Sequence, residues 1–247
     1  MAMLGAILIQ IGTNFANDYF DFVKGADNDD RVGPARATQS GLISPTAMKN
    51  AFIITFALVV PIILYLAYRG GWPLIILGLV SILSGILYTG GPKPLGYIGL
   101  GDLFVLIFFG PVAVAGTEYV QSLQISSPAI LAGCASGLIS TAILVVNNLR
   151  DKEGDAKVGK NTLAVRFGAT FVRMEYSLCF VGAALITVYL AVNHSLIVLV
   201  SLLPLLLSLP INRSMWTQEG ALLDPNLAKT ARVLILYSLF LSITWLF

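Results

Sequence analysis

Residues 128–155 read PAILAGCASGLISTAILVVNNLRDKEGD, and they indicate the kind of fold this chain adopts. Residues 128–149 carry no charge, and a charged run begins at Arg150. A helix needs about 20 consecutive, mostly apolar residues to cross the hydrocarbon core of a bilayer, because its backbone hydrogen bonds must all close internally. The stretch therefore predicts a membrane span that ends in a charged helix tip.

The rest of the chain has the same apolar character. Of its 247 residues, 57% are hydrophobic and only 11% are charged, against roughly 25% charged in an ordinary soluble domain. The mean hydropathy of +0.84 is too high for a disordered chain. The net charge of +2 gives no indication of a nucleic-acid partner, and we expect neither that nor an obligate protein partner. These values exclude a water-soluble globular protein.

Eight segments are apolar enough to be membrane spans, and they leave little chain for an extramembrane domain. We predict an all-α, polytopic transmembrane helical bundle of about eight spans, forming a single membrane domain over residues 1–247. Gly133 and Gly137 predict a close helix contact, and Pro61 and Pro111 predict kinks. The predicted spans cover residues 1–20, 48–68, 72–89, 101–120, 128–149, 169–192, 195–211 and 231–247.

The basic residues indicate which way the spans face. If the spans are numbered in order, 14 of the 15 lysines and arginines lie at the connections after spans 1, 3, 5 and 7, and Arg69 is the exception. Lysine and arginine are enriched in cytoplasmic loops of membrane proteins. We therefore predict a multi-pass protein of the bacterial cytoplasmic (inner) membrane, with its odd-numbered connections in the cytoplasm.

Two acidic motifs stand at these predicted cytoplasmic helix ends. Residues 17–27 read NDYFDFVKGAD and residues 147–155 read NNLRDKEGD, so both contain Asn-x-x-x-Asp. Residues four apart share a helix face, which pairs an asparagine with an aspartate in each motif. Gly25 is placed to bend the chain and bring Asp27 back toward Asp21. Because the motifs lie four spans apart, we also predict two pseudo-repeated four-helix units, residues 1–120 and 128–247.

The motifs predict a Mg²⁺–diphosphate site at the cytoplasmic mouth of the bundle. A carboxylate at the edge of the hydrocarbon is costly unless a cation compensates it, and Mg²⁺ binds few carboxylates together with substrate phosphates. For either motif by itself, a solvated loop remains an alternative. The candidate metal ligands are Asn17, Asp21, Asp27, Asn147, Asp151 and Asp155.

Basic side chains near the motifs are candidates for binding the diphosphate. Guanidinium and ammonium groups donate charge-assisted hydrogen bonds to phosphate oxygens. Each of them, taken singly, has the alternative role of a charge that faces lipid headgroups. The candidates are Arg31, Arg36, Lys93, Arg150, Lys157 and Lys160.

The two motif regions resemble the UbiA-type intramembrane aromatic prenyltransferases. The resemblance is carried by residues 12–45 and 147–168, and it is most specific to the branch that prenylates 1,4-dihydroxy-2-naphthoate in menaquinone synthesis. Many members have an aspartate four residues after the one that corresponds to Asp21, whereas this chain has Gly25 there. The family usually has nine spans, so we expect the first span to be missing here.

The resemblance implies a Mg²⁺-dependent reaction between a polyprenyl diphosphate and an aromatic acceptor, with the prenyl tail in membrane lipid. The diphosphate leaves, the naphthalenediol attacks the allylic carbon, and loss of CO₂ gives demethylmenaquinol. The catalytic residues would be Asp21, Asp151, Lys93 and Tyr88. The Tyr88 ring would face the allylic cation, and its alternative role is that of an interfacial anchor.

Three other functions are alternatives for a helical membrane chain with acidic motifs. Prenylation of another aromatic acceptor, 4-hydroxybenzoate or homogentisate, stays open. CDP-alcohol phosphatidyltransferases carry a compact Asp-Gly-x-x-Ala-Arg motif that this chain lacks. A cation transporter would carry ionisable groups deep in the bilayer, and most of the predicted spans have almost none.

Overall fold

The structure is a computed structural model that describes residues 1–26 and 32–247, and every regular element in these ranges is helical. The prediction of an all-α, polytopic helical protein is confirmed. The 3-10 helix Leu196–Leu207 leads directly into α8, and the 3-10 turn Gly220–Leu223 leads into α9. The α-helices are α1 (Ala2–Val23), α2 (Pro45–Gly70), α3 (Trp72–Leu87), α4 (Gly101–Phe108), α5 (Pro111–Ser122), α6 (Ser127–Lys157), α7 (Leu163–Asn193), α8 (Ser208–Thr217) and α9 (Asp224–Thr244).

Each of the eight predicted spans coincides with a helical segment. Six of these segments are long and apolar enough to cross a membrane, judged by length and composition within the described residues. Helix α3 has 16 residues and is shorter than the other candidates. Helix α1 has 22 residues, but Asn14, Asn17, Asp18 and Asp21 make its second half polar. The six are Pro45–Gly70, Gly101–Ser122, Ser127–Lys157, Leu163–Asn193, Leu196–Thr217 and Gly220–Thr244.

The chain divides into two compact units. Unit 1 consists of Met1–Gly101, Tyr119–Leu123 and Glu153–Thr162, and unit 2 consists of Asp102–Glu118, Gln124–Lys152 and Leu163–Phe247. Compactness alone does not test internal repetition, so the two pseudo-repeated four-helix units stay a prediction.

In unit 1, α1 packs against α2 and α3. Ala16 of α1 is completely buried, and it lies against Phe52 and Phe56 of α2. Tyr19 and Phe20 extend this cluster, with ring centroids 5.8 Å from that of Phe52 in both cases. Burial of these rings holds the polar second half of α1 beside α2.

In unit 2, the core lies between α6, α7, α9 and the 3-10 helix that precedes α8. Hydroxyl pairs cross this apolar core between helices. Tyr176 and Thr230 are 3.0 Å apart, and Thr187 and Tyr237 are 2.8 Å apart, measured between their hydroxyl oxygens. These hydrogen bonds satisfy the two fully buried tyrosines, because a phenol without a partner is costly in an apolar interior.

Close backbone contact joins α6 to the break between α4 and α5, which occurs at the predicted kink Pro111. A Cβ atom added to Gly133 would lie 2.6 Å from Pro111 Cα, and one added to Gly137 would lie 2.5 Å from the carbonyl oxygen of Leu106. The predicted close contact at these two glycines is confirmed. In contrast, α2 continues through Pro61 as one helix from Pro45 to Gly70.

Candidate functional site

The first acidic motif forms the last two turns of α1, and its aspartates have different surroundings. Asp18 is 6% exposed, and its two carboxylate oxygens each accept a hydrogen bond of 3.1 Å, from the backbone N–H groups of Ala37 and Thr38. Through these two hydrogen bonds, Asp18 holds the segment around Ala37 and Thr38 against α1.

Asn17 and Asp21 lie one helical turn apart and contact the segment that follows α3. The side-chain carbonyl of Asn17 accepts a hydrogen bond of 2.9 Å from the Thr89 hydroxyl. Asp21 is 5% exposed, and its Oδ1 accepts a hydrogen bond of 2.8 Å from the Tyr97 hydroxyl. Its Oδ2 accepts no hydrogen bond from the side chains and backbone that the structure describes, so this oxygen is available to a ligand.

Helix α1 ends in a glycine turn directly after the motif. Gly25 has a φ of +70°, its N–H donates to the Phe22 carbonyl at 3.0 Å, and the Ala26 N–H donates to the Asp21 carbonyl at 2.8 Å. This pair of bonds is the Schellman arrangement, which favours glycine because of the positive φ. The predicted bend at Gly25 is confirmed. Asp27 and Arg31 lie outside the described residues, so their predicted roles stay predictions.

The last turn of α6 belongs to unit 1 and ends in the same way. Gly159 has a φ of +72°, its N–H donates to the Ala156 carbonyl at 3.3 Å, and the Lys160 N–H donates to the Asp155 carbonyl at 2.9 Å. The Lys160 ammonium lies 3.4 Å from Asp155 Oδ1. Asp21 and Asp155 thus hold the same position relative to the ends of their helices.

Tyr97 joins these two helix ends within unit 1. Its hydroxyl donates to Asp21, and its backbone carbonyl accepts a hydrogen bond of 2.9 Å from the Asn161 N–H. The ammonium groups of Lys24 and Lys160 lie 4.8 Å and 5.8 Å from its ring centroid, within the range of a cation–π contact. Four of the predicted site residues, Asn17, Asp21, Asp155 and Lys160, therefore belong to one polar region.

Lys24 connects this region to the turn after α3. Its ammonium donates to the carbonyls of Thr89 and Gly91. Burial lowers the pKa of Lys24, and the nearby Asp21 carboxylate opposes that effect. Neither Lys24 nor Tyr97 is among the site residues predicted from the sequence. Lys24 lies inside the first motif, but nothing local marks Tyr97, which is 76 residues from its partner Asp21.

The remaining basic and aromatic candidates of unit 1 differ in their exposure. Lys93 and Lys157 are exposed, and Arg36 is half-buried in the segment that Asp18 fastens. Tyr88 directly follows α3 and is half-buried, and its carbonyl accepts a hydrogen bond of 2.9 Å from the Gly96 N–H. Their roles in binding diphosphate or an allylic cation stay predictions.

In unit 2, the second motif is organised around the buried side chain of Arg150. The Nε and Nη2 atoms of Arg150 donate to the two oxygens of Asp151 at 2.7 Å each, and Nη2 also donates to Asn147 Oδ1 at 2.7 Å. Nη1 donates to Asp224 Oδ1 at 2.8 Å. The predicted metal ligands Asn147 and Asp151 are thus brought together, and Asp224 is a neighbour that the sequence analysis missed.

The candidate metal ligands all offer carboxylate or amide oxygens, the donors that Mg²⁺ prefers. Across residues 1–26 and 32–247, no three His, Cys, Asp or Glu side chains form a group that could hold a metal ion. A metal ion bound by the candidate ligands would need oxygens of asparagine, water or substrate in addition to those of carboxylates. Mg²⁺ commonly binds phosphate substrates in that way, so the donor set fits it.

Comparison with known proteins identifies a family and several similar proteins. The model of the UbiA prenyltransferase family matches residues 1–245. The 1,4-dihydroxy-2-naphthoate octaprenyltransferase of Haemophilus influenzae is 39% identical in an alignment of 256 positions, which covers 98% of this chain and 82% of that protein. Proteins of the same name are 44% identical in Escherichia coli, covering 74% of this chain and 61% of the relative, and 43% identical in Mycobacterium tuberculosis, covering 76% and 64%.

The helical fold together with this family match and these relatives places the chain in the class of aromatic prenyltransferases of the membrane. The family match extends over nearly the whole chain, and this chain belongs to the UbiA prenyltransferase family. The matched regions span a little over three-fifths of the length of the Escherichia coli and Mycobacterium tuberculosis relatives.

Proposed function

We propose that this protein transfers a polyprenyl group from a polyprenyl diphosphate to 1,4-dihydroxy-2-naphthoate and releases CO₂, giving demethylmenaquinol for menaquinone synthesis. The observation that carries the proposal is the environment of Asp21. Its carboxylate is buried at a helix end and oriented by the Tyr97 hydroxyl, and one oxygen is left for a ligand. The ammonium groups of Lys24 and Lys160 lie against the ring of the same tyrosine. The names of the similar proteins support the choice of acceptor.

The ligands that we propose for Mg²⁺ are oxygens of both acidic motifs. They are Asn17, Asp21 and Asp27 of the first motif and Asn147, Asp151 and Asp155 of the second. When bound, Mg²⁺ supplies positive charge that offsets the charge of a leaving diphosphate. The bonds of Asp21 to Tyr97 and of Asp151 to Arg150 support this, because metal-binding side chains are usually oriented by hydrogen-bonded neighbours.

Basic side chains of the chain itself complete the proposed diphosphate site. Lys160, Lys157, Lys93, Arg36 and Arg31 would donate to diphosphate oxygens that the metal leaves free. Positive charge held in place before the reaction stabilises the leaving group as the bond between oxygen and the prenyl carbon breaks. The Tyr88 ring would face the resulting allylic cation.

The acceptor step then balances without an oxidant. A ring carbon of the naphthalenediol forms a bond to the allylic carbon, and the carboxylate leaves as CO₂. The electron pair of the broken carbon–carbon bond returns to the ring, which restores its aromaticity. Diphosphate, CO₂ and the prenylated diol are the products, and the polyprenyl tail stays in the lipid beside the helices.

We also propose that the protein lies in the bacterial cytoplasmic membrane with both motifs at its inner side. The distribution of lysine and arginine supports this orientation. The water-soluble naphthoate and the diphosphate would then meet at the cytoplasmic surface. This orientation suits a donor whose charged head is in water and whose tail is in lipid.

The mass of the product tests the proposed reaction. Purified protein in lipid is incubated with Mg²⁺, a polyprenyl diphosphate and one acceptor at a time: 1,4-dihydroxy-2-naphthoate, 4-hydroxybenzoate or homogentisate. We expect a product only from the naphthoate, with the mass of the acceptor plus the prenyl group minus CO₂, and its loss with EDTA. Product from the benzoate and none from the naphthoate would reject the proposed acceptor.

A further inference from the structure

The guanidinium of Arg150 donates most of its hydrogen bonds to other side chains of this protein. A guanidinium carries five N–H groups, and four of those of Arg150 donate to Asp151, Asn147 and Asp224. Its side chain is 1% exposed. To reach a diphosphate, the guanidinium would have to leave several charge-assisted hydrogen bonds, each stronger than one between neutral groups. This arrangement differs from that of a ligand-binding arginine with free N–H groups.

Asp224 determines the orientation of the Arg150 guanidinium. It is the first residue of α9 and lies 74 positions from Arg150, outside both acidic motifs. Its carboxylate also interacts favourably with the positive end of the α9 dipole. Because a guanidinium is planar, fixing Nη1 on Asp224 directs the edge formed by Nε and Nη2 toward Asp151 and Asn147.

The bonded carboxylate of Asp151 keeps its capacity for a cation. Each carboxylate oxygen has two lone pairs and can accept an arginine N–H and still bind a metal. The charges of Arg150, Asp151 and Asp224 sum to minus one, so a cation is still attracted to the cluster. Arginine thus holds the two oxygen donors of the motif at a fixed separation.

We propose that Arg150 is a positioning residue for Asn147 and Asp151, held in place by Asp224, and that it does not bind the diphosphate. The inference rests on the proposed function, because it concerns the metal ligands of that reaction. It makes Asp224 part of the site although Asp224 contacts no substrate. It also replaces the role in diphosphate binding that the sequence analysis gave to Arg150.

The test compares Asp224→Asn and Arg150→Lys with the control variant Glu219→Gln. Glu219 forms an ion pair with Arg173 at 3.1 Å, and its side chain is 76% exposed. The control therefore removes the acidic partner of an arginine that lies outside both acidic motifs. Binding of Mn²⁺ is measured by electron paramagnetic resonance without any prenyl donor. We expect both test variants to weaken Mn²⁺ binding about 10-fold and the control to bind like the wild type.

Steady-state kinetics separate positioning from ligand binding. At saturating Mg²⁺, we expect the KM for the prenyl diphosphate to stay unchanged in both test variants. The double variant should be no worse than Arg150→Lys alone, because the two residues act through one contact. An increased donor KM in Arg150→Lys with unchanged Mn²⁺ binding would overturn the proposal, and so would additive losses in the double variant.

Two further measurements keep the outcome decisive. Asp224→Glu keeps the carboxylate, so it should retain most of the Mn²⁺ affinity even if Asp224→Asn does not fold, and a full loss in a folded Asp224→Glu protein would contradict us. Wild-type protein that neither binds Mn²⁺ nor forms product would reject the proposed function itself. Wild-type protein that does both, with Asp224→Asn unchanged, would reject only the role of Arg150 and Asp224.

Discussion

Asp18 and Asp21 lie three residues apart in α1, and both are buried, yet only one has an oxygen left for a ligand. Two backbone N–H groups satisfy the carboxylate of Asp18. A single phenol contacts that of Asp21. The sequence distinguishes them only through the Asn-x-x-x-Asp spacing, which selects Asp21. Their partners, at positions 37, 38 and 97, are too far along the chain for a local pattern to reveal.

Replacing each of these aspartates by asparagine should therefore have a different result. Asp21→Asn weakens a proposed metal ligand, and we expect turnover to fall at least about 100-fold with little change in thermal unfolding. Asp18→Asn loses charge-assisted bonds to the backbone N–H groups of Ala37 and Thr38, which should lower the free energy of unfolding by about 1–3 kcal/mol. Thermal unfolding and prenyl transfer per folded protein are measured for both. Full activity in Asp21→Asn would contradict its assignment.

The hydroxyl and the ring of Tyr97 have separable roles. Tyr97→Phe keeps the ring beneath Lys24 and Lys160 but removes the bond to Asp21, so we expect the Mg²⁺ concentration for half-maximal activity to rise about 10-fold. Tyr119→Phe is the matched control, because it removes a phenol bond to the Gly70 carbonyl, away from the motif residues of unit 1. A Mg²⁺ titration of the rate checks both variants. Equal responses would show that Tyr97 does not orient Asp21.

At the scale of whole helices, α1 and α6 both end in a Schellman turn. In both, an aspartate precedes a glycine of positive φ by four residues, and its carbonyl accepts the second bond of the Schellman turn. The sequence analysis aligned Asp21 with Asp151 through the asparagine spacing, whereas the helix ends align Asp21 with Asp155. Hydropathy placed the end of the span at residue 149, but α6 continues to Lys157, because helical hydrogen bonding does not stop where apolar sequence does.

The contact between α6 and the break after α4 depends on the absence of side chains. Gly137→Ala places a Cβ 2.5 Å from a backbone oxygen that has no freedom to rotate away, and we expect a loss of about 1–3 kcal/mol in unfolding free energy. Gly154→Ala on the same helix meets no atom within 4 Å, so it should be neutral or stabilising by up to about 1 kcal/mol. Thermal unfolding in detergent compares the two variants. Equal stability of both variants would mean that the close backbone contact does not contribute to the stability of the protein.

For the molecule as a whole, composition and hydropathy were sufficient to predict an all-helical membrane protein with helices at the eight expected places. The two acidic motifs and the family resemblance were also evident from local sequence. The side chains that orient the motifs were not, because Tyr97 and Asp224 reach them only through the folded arrangement of helices. The burial of Arg150 among Asp151, Asn147 and Asp224 was not evident either, because an exposed and a buried arginine look alike in a sequence.

The central claim is that the carboxylates of both motifs serve one metal-bound diphosphate. Its most direct test is Mn²⁺ binding with a non-hydrolysable prenyl diphosphate analogue, in wild-type protein and in the variants Asp21→Asn and Asp151→Asn. We predict that the analogue strengthens Mn²⁺ binding to the wild type and that either substitution abolishes this increase. An increase of wild-type size in either variant would contradict the claim.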